Sequence, residues 1–149
     1  MLQGFKALLS ELLPQTEPPA DPDALRQLAA AALMIEVATI DEHFDAQELA
    51  TLKAELQRQF AVDGQALDDM IALARSESRD ATSLYQFTRC INDEFSNQEK
   101  LNLMTGMWRI AYADGQLDKY EEHLIRRIAD LIHLPHSQFI RAKQLARPD

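Results

Sequence analysis

The chain repeats itself after 73 residues, and this duplication constrains the fold more than any other feature of the sequence. The shift brings these pairs into register: Met34 with Met107, Ala38 with Ala111, Asp41 with Asp114, Phe44 with Leu117, Asp45 with Asp118, Glu48 with Glu121, Leu52 with Ile125, and Leu67 with Ile140. Each copy has the order apolar helix, acidic turn, amphipathic helix, short turn and third helix. The sequence therefore predicts two three-helix units related by a pseudo-twofold axis.

The composition favours helices throughout. Leu and Ala contribute 42 of the 149 residues, whereas Val, Ile and Thr contribute 17. Strong helix formers dominate, and no stretch of five or more residues alternates as a strand does. We expect an all-α, compact bundle of about eight helices, at these ranges: 2–13, 22–41, 46–60, 64–77, 81–94, 97–113, 119–132 and 136–146. The helical domain spans 24–146, and residues 1–23 form an amphipathic helix and a Pro-rich linker.

Several helix starts carry recognisable caps. The pairs Asp45/Glu48, Ser96/Glu99 and Asp118/Glu121 have the spacing of a capping box. Asp63 and Asp80 are further N-cap candidates. Phe44 and Leu117 precede two of these caps, where an apolar residue staples the helix to the core.

The first helix of each copy is apolar nearly all round, over 29–40 and 103–113. Such helices belong at the centre of a bundle. Each has one charged residue at the same repeat position, Glu36 in one and Arg109 in the other. We expect the two either to pair across the pseudo-twofold axis or to reach the edge of the bundle.

The amino-terminal segment has an apolar face at helical spacing, formed by Leu2, Phe5, Leu8, Leu9, Leu12 and Leu13. Pro14 begins a stretch with four prolines that cannot be helical. The segment docks on the domain, on a protein partner or on a membrane surface. One Lys against one Glu makes no basic membrane-binding face, which favours the first two. No targeting signal or membrane span is recognisable, so we expect a cytoplasmic protein.

The charge distribution narrows the partners. The net charge is −9, and residues 1–100 hold 8 basic and 18 acidic groups. Phosphate backbones repel such a surface, which excludes general nucleic-acid binding and leaves cations and basic protein surfaces. One cysteine, Cys90, excludes a disulfide framework, and no Gly-rich phosphate loop occurs.

The two acidic turns are the strongest candidates for chemistry. Asp41 and Asp114 follow the ends of apolar helices, where the helix dipole disfavours a carboxylate. A cation would offset this repulsion; oxygen ligands suit Ca²⁺ or Mg²⁺, and His43 would favour Zn²⁺. The candidate ligands are Asp41, His43, Asp45, Glu48, Asp114, Asp118 and Glu121. The alternative is a charged turn that contacts a protein partner or aids solubility.

The first turn is not an EF-hand. Ala46 stands where the loop needs glycine, and Leu52 stands where it needs a bidentate glutamate.

Other candidate residues have simpler interpretations. His123, His133 and His136 are dispersed and are expected to cap helices or lie at the surface. Cys90 is expected in the core. A basic patch on the last two helices is either a solvated face or a contact for an anionic partner; it contains Arg126, Arg127, Arg141 and Lys143.

The sequence resembles the TerB-like family, which takes in tellurite-resistance TerB proteins and the N-terminal domain of DjlA co-chaperones. The resemblance rests on the pattern A-x-A-D-G-x-[LI]-x-x-x-E, matched by Ala111, Ala113, Asp114, Gly115, Leu117 and Glu121, and on its echo at 35–48, which lacks the glycine. It implies a pseudo-twofold helical bundle, an acidic cluster proposed to bind metal, and no established enzymatic activity. No His-Pro-Asp signature of a J-domain occurs.

Two functions follow. The first is a non-enzymatic stress-response or interaction module whose acidic turns bind a divalent cation and fix a surface for a protein partner. The alternative is a metal-dependent hydrolytic enzyme that uses the acidic cluster. Parallel packing of the central helices would bring Asp41 and Asp114 close together, and we expect this arrangement.

Overall fold

The protein is described by a computed structural model over residues 22–40, 44–113, 115 and 117–148. This part of the chain forms seven helices and no strand, which confirms the all-α prediction. The helices are α1 (Pro22–Thr39), α2 (Ala46–Phe60), α3 (Gly64–Asp80), α4 (Tyr85–Glu94), α5 (Asn97–Tyr112), α6 (Lys119–Leu131) and α7 (His136–Ala146). The helix predicted at 2–13 lies outside the described residues. None of the seven is both long and apolar enough to cross a membrane.

Most predicted caps are present. Asp45 and Ser96 form complete capping boxes with Glu48 and Glu99. Asp63 occupies the N-cap position of α3 without a side-chain cap bond.

The prediction for Asp80 is wrong, because α3 continues through Asp80 and α4 begins only at Tyr85. The Ser83 hydroxyl accepts a hydrogen bond from the Tyr85 backbone N–H at 3.3 Å. Ser83 therefore accepts from an N–H group in the first turn of α4, a capping role that was expected of Asp80.

The central helices α1 and α5 run side by side in the same direction. Near their starts, Arg26 of α1 donates to the carboxylate of Glu99 of α5. Further along, Met34 Cε lies 3.1 Å from the point where a Cβ of Gly106 would stand. Both contacts join residues at nearly the same position of each helix, so the helices are parallel and their carboxyl ends point to one end of the molecule.

The packing has the symmetry that the repeat predicts. Each first helix packs on the third helix of its own copy, α1 on α3 and α5 on α7. Each also packs on the second helix of the other copy, α1 on α6 and α5 on α2. The first helices contact each other, which confirms that they meet at the pseudo-twofold axis.

The register of the third helices differs from the prediction. Leu67 is 3% exposed, whereas Ile140, its expected equivalent, is 37% exposed. Phe139 occupies the buried position instead, at 3%. α6 is two residues shorter than α2, and the turn after it is one residue longer, so the third helices align with a shift of 72.

The pairing of Glu36 with Arg109 is also wrong. Glu36 accepts a hydrogen bond from Ser78 at 2.7 Å, and Arg109 pairs with Glu55. Glu36 lies ten residues after Arg26, about 280° further round the helix, so it faces α3 rather than the axis. Arg109, at the equivalent position of α5, reaches Glu55 on α2 of the other copy.

Candidate functional site

The first acidic turn ends in a tightly capped helix start. Asp45 accepts a hydrogen bond from the Glu48 backbone N–H at 2.8 Å, and Glu48 Oε1 accepts one from the Asp45 N–H at 3.4 Å. Glu48 is only 3% exposed. Phe44 packs on the core, as expected of an apolar staple. The guanidinium carbon of Arg75 lies over its ring, 5.0 Å from the ring centroid.

At the second acidic turn, the side chain of Asp118 also caps its helix, but the reciprocal bond of a complete capping box is present only at the first turn. Asp118 accepts hydrogen bonds from the backbone N–H groups of Tyr120 and Glu121, at 3.0 and 3.2 Å. Glu121 is 2% exposed, and Leu117 packs on the core. Gly115 has φ +87°, which confirms that the chain leaves α5 through the left-handed conformation that glycine adopts without strain.

The two capped helix starts lie at the same end of the molecule. α1 and α5 are parallel, and α2 and α6 begin a few residues after them. Asp45 and Asp118 therefore stand at equivalent places beside the carboxyl ends of the central helices. Backbone carbonyls at those ends carry partial negative charge, and the N–H groups at the starts of α2 and α6 carry partial positive charge.

The structure describes four of the seven predicted metal ligands: Asp45, Glu48, Asp118 and Glu121. It brings Asp45 to Glu48 and Asp118 to Glu121, each pair within its own turn. Asp41, His43 and Asp114 lie outside the described residues. Within the described part of the chain, no three His, Cys, Asp or Glu side chains form a group that could hold a metal ion. Metal binding therefore stays a prediction that depends on the other three residues.

The dispersed histidines His123, His133 and His136 are exposed, as expected. His136 is the first residue of α7, and Pro135 occupies the N-cap position of that helix. His136 is therefore not an N-cap residue. Cys90 is buried at 7% exposure, as expected for a core residue.

The basic patch on α6 and α7 is only partly solvated. Arg126 lies over the Phe139 ring, with its guanidinium carbon 5.3 Å from the centroid. Lys143 pairs with Glu122 at 2.8 Å and also lies 5.0 Å from the Trp108 ring. Arg127 and Arg141 are exposed.

The sequence interpretation missed a buried carboxylate between the two copies. Glu55 of α2 is 1% exposed, and Arg109 Nη1 of α5 donates to both of its oxygens at 3.2 Å. Arg58 adds an ion pair at 2.8 Å, and Gln59 Nε2 donates at 3.3 Å. The available signal was position: Glu55 follows Leu52 by three residues and therefore shares the apolar face of α2.

A family model described as tellurite resistance protein TerB matches residues 27–144. The chain belongs to the TerB family. The match includes both acidic turns and most of the seven described helices, so the resemblance predicted from the sequence is confirmed. No curated protein and no solved structure gives a significant match to the chain.

Family membership agrees with the geometry of this TerB-family chain. The matched part covers most of both copies of the repeat, from within α1 to within α7.

Proposed function

We propose that this chain is a non-enzymatic TerB module that binds a divalent cation at its two acidic turns and presents that end to a protein partner. The observation that carries the proposal is the parallel packing of α1 and α5, joined by Arg26 with Glu99 and by Met34 with Gly106. It directs the carboxyl ends of both central helices, and the acidic sequences that follow them, to the same end of the molecule.

The described carboxylates support a role beyond capping. A carboxylate has about four lone-pair positions, and the backbone N–H groups at each cap use one or two of those on Asp45 and Asp118. Oxygens of the caps can thus supply further ligands to an ion bound by Asp41, His43 or Asp114. Hard divalent cations take such carboxylate oxygens at 2.0–2.6 Å, roughly the range for Mg²⁺ and Ca²⁺.

A bound cation would give the module its recognition surface. The turns carry several acidic groups at one end, and binding one ion would lower their mutual repulsion and fix the turn backbone. A protein partner would then meet an ordered surface rather than a repulsive one. A role in a stress response rests only on the family, whose description names tellurite resistance.

Titration calorimetry tests the proposal. The wild-type chain is titrated with Ca²⁺, Mg²⁺ and Zn²⁺ in separate experiments, and then Asp41→Asn/Asp114→Asn is titrated with the same ions. The matched control is Asp63→Asn/Asp130→Asn, which removes the same charge from two exposed residues at the opposite end of the bundle.

We expect one of the ions to bind the wild type and the control with the same affinity, and the Asp41/Asp114 variant at least about 10-fold more weakly. Cation binding at the turns would be refuted if no ion gave a heat of binding with the wild type, or if the Asp41/Asp114 variant bound the ion as tightly as the wild type does.

A further inference from the structure

The two copies of the repeat differ on the outer surface of their second and third helices. In the first copy, Lys53 of α2 pairs with Asp68 of α3 at 3.3 Å. The equivalent residues of the second copy are Arg126 of α6 and, with the shift of 72 that aligns the third helices, Ile140 of α7. Because isoleucine cannot pair with an arginine, the guanidinium of Arg126 lies over the Phe139 ring instead. The first copy therefore neutralises this charge itself, and the second copy does not.

The difference in charge continues at the neighbouring positions. Ala54 of α2 corresponds to Arg127 of α6, and Asp69 of α3 corresponds to Arg141 of α7. Over these four equivalent positions, the first copy has one lysine and two aspartates, and the second has three arginines. The net charge therefore changes from −1 to +3 between two surfaces that the fold places in equivalent surroundings.

The helices α6 and α7 lie side by side and antiparallel. Glu122 near the start of α6 pairs with Lys143 near the end of α7, and Arg126 further along α6 lies over Phe139 nearer the start of α7. Their outward sides therefore form one continuous surface.

The arginines lie on this outward surface. Arg127 follows the buried Ile125 by two residues, and Arg141 follows the buried Phe139 by two, so each lies about 200° round its helix from a core residue. Both are exposed. The surface, here termed the α6–α7 face, contains Arg126, Arg127, Ile140, Arg141 and Leu145.

The α6–α7 face combines unpaired positive charge with exposed apolar side chains. Among the residues that the structure describes, Arg126, Arg127 and Arg141 form no ion pair, although the chain holds 24 acidic groups against 15 basic ones. Ile140 is 37% exposed and Leu145 is 53% exposed. Such a surface is complementary to a partner that carries negative charge and apolar side chains of its own.

We propose that the α6–α7 face binds an acidic, partly apolar segment of another protein. Since α6 has 13 residues, the face extends over only about 20 Å. A nucleic-acid duplex or a membrane surface extends further and would also meet the acidic first turn of α6, where Asp118 and Glu122 lie. Two copies of the face repel each other, which disfavours a symmetric dimer through it. A short acidic segment matches both the charge and the length of the face.

Fluorescence anisotropy of a labelled peptide tests the proposal in the full chain. The probe is a short synthetic peptide of Glu and Leu at amphipathic helical spacing, and a second peptide has Lys in place of Glu. EDTA is present throughout, so the result does not depend on a cation at the acidic turns. Vesicles that contain phosphatidylserine are titrated in parallel.

Three variants test which surface binds the probe. Arg127→Glu/Arg141→Glu reverses two charges on the α6–α7 face. The matched control, Lys53→Glu/Arg79→Glu, makes the same change on the corresponding helices of the first copy, α2 and α3. Ile140→Asp gives the second copy the acidic residue that pairs with Lys53 in the first copy. Circular dichroism checks that each variant is folded.

We expect the wild type and the control to bind the acidic peptide with the same Kd, and Arg127→Glu/Arg141→Glu to bind it at least about 10-fold more weakly. Ile140→Asp should also weaken binding, and the Lys peptide should not bind. Equal affinity of the wild type and Arg127→Glu/Arg141→Glu, or no binding of the acidic peptide, would overturn the proposal. Binding of the vesicles without the peptide, or self-association through this face without peptide binding, would overturn it as well.

Discussion

Arg26 and Glu99 are 73 residues apart, occupy equivalent positions of the two repeats, and pair with each other across the pseudo-twofold axis. The same carboxylate also closes a capping box, since Glu99 accepts from the Ser96 backbone N–H at 2.9 Å. One side chain therefore both starts α5 and fixes its register against α1.

This pair makes the stability of the fold depend on pH in the acidic range. The hydrogen bond from the Ser96 N–H lowers the pKa of Glu99 below its ordinary value of 4.5. Burial opposes this shift, and the charge of Arg26 adds to it. The stabilisation is thus complete above that pH and is lost as the pH falls through the native pKa.

We predict that Glu99→Gln lowers stability at pH 7 by about 0.5–1 kcal/mol and reduces the further loss between pH 5 and pH 3. Urea unfolding at several pH values measures both effects. The exposed residue Glu94 supplies the control, Glu94→Gln. Parallel acid profiles for wild type and Glu99→Gln would contradict the assignment.

The caps at the acidic turns have measurable structural roles. We predict that Asp45→Ala and Asp118→Ala each cost about 1 kcal/mol, because each removes the acceptor of helix N–H groups. Asp63→Ala should change stability by less than about 0.5 kcal/mol, since Asp63 occupies an N-cap without a side-chain cap bond. Chemical denaturation of the three variants makes the comparison, and equal losses at all three would remove the special role of the capped turns.

The buried carboxylate of Glu55 depends on its partner from the other copy. We predict that Arg109→Met destabilises the fold by about 2–4 kcal/mol, because it leaves Glu55 buried with Arg58 and Gln59 alone. The double variant Glu55→Met/Arg109→Met should recover more than half of that loss. Arg127→Met, at an exposed position, is the control. A double variant no more stable than the single one would show that the pair is not coupled.

One strained residue offers a stabilising substitution. Ala61 ends α2 with φ +54°, in the left-handed region that favours glycine. Ala61→Gly should therefore raise stability by about 0.5–1 kcal/mol. Ala81 ends α3 with φ −73°, where glycine brings only a loss of chain entropy, so Ala81→Gly should lower stability. Thermal unfolding of both variants tests the difference in sign.

Local sequence signals predicted most helix limits because caps and apolar periodicity are local properties. α2 and α7 begin and end where predicted, and the starts of α3, α5 and α6 agree as well. The start of α4 was missed because a serine hydroxyl, rather than an aspartate, satisfies its first turn. The contact of α1 and α5 was predicted from the repeat, and their parallel direction was a further expectation that the contacts confirm.

Contacts across the core were harder to predict because they depend on the rotation of each helix about its axis. The repeat showed that Glu36 and Arg109 occupy equivalent positions, but their side chains contact different helices, Glu36 with Ser78 of α3 and Arg109 with Glu55 of α2. Glu55 was missed for the same reason, since its partner lies 54 residues away. At the acidic turns, the capping roles of Asp45 and Asp118 were predictable, and the cation remains a prediction.

Thermal unfolding with and without a divalent cation tests the central claim most directly. A bound ion stabilises the native state by mass action, so at about 100 times its Kd the wild-type Tm should rise by roughly 5–10 °C. Asp41→Asn/Asp114→Asn should show no such rise, and Asp63→Asn/Asp130→Asn should behave as the wild type does. The claim that these turns bind a cation would be contradicted by two results together: Ca²⁺, Mg²⁺ and Zn²⁺ all leave the wild-type Tm unchanged, and the double Asp41/Asp114 variant is more stable under every condition.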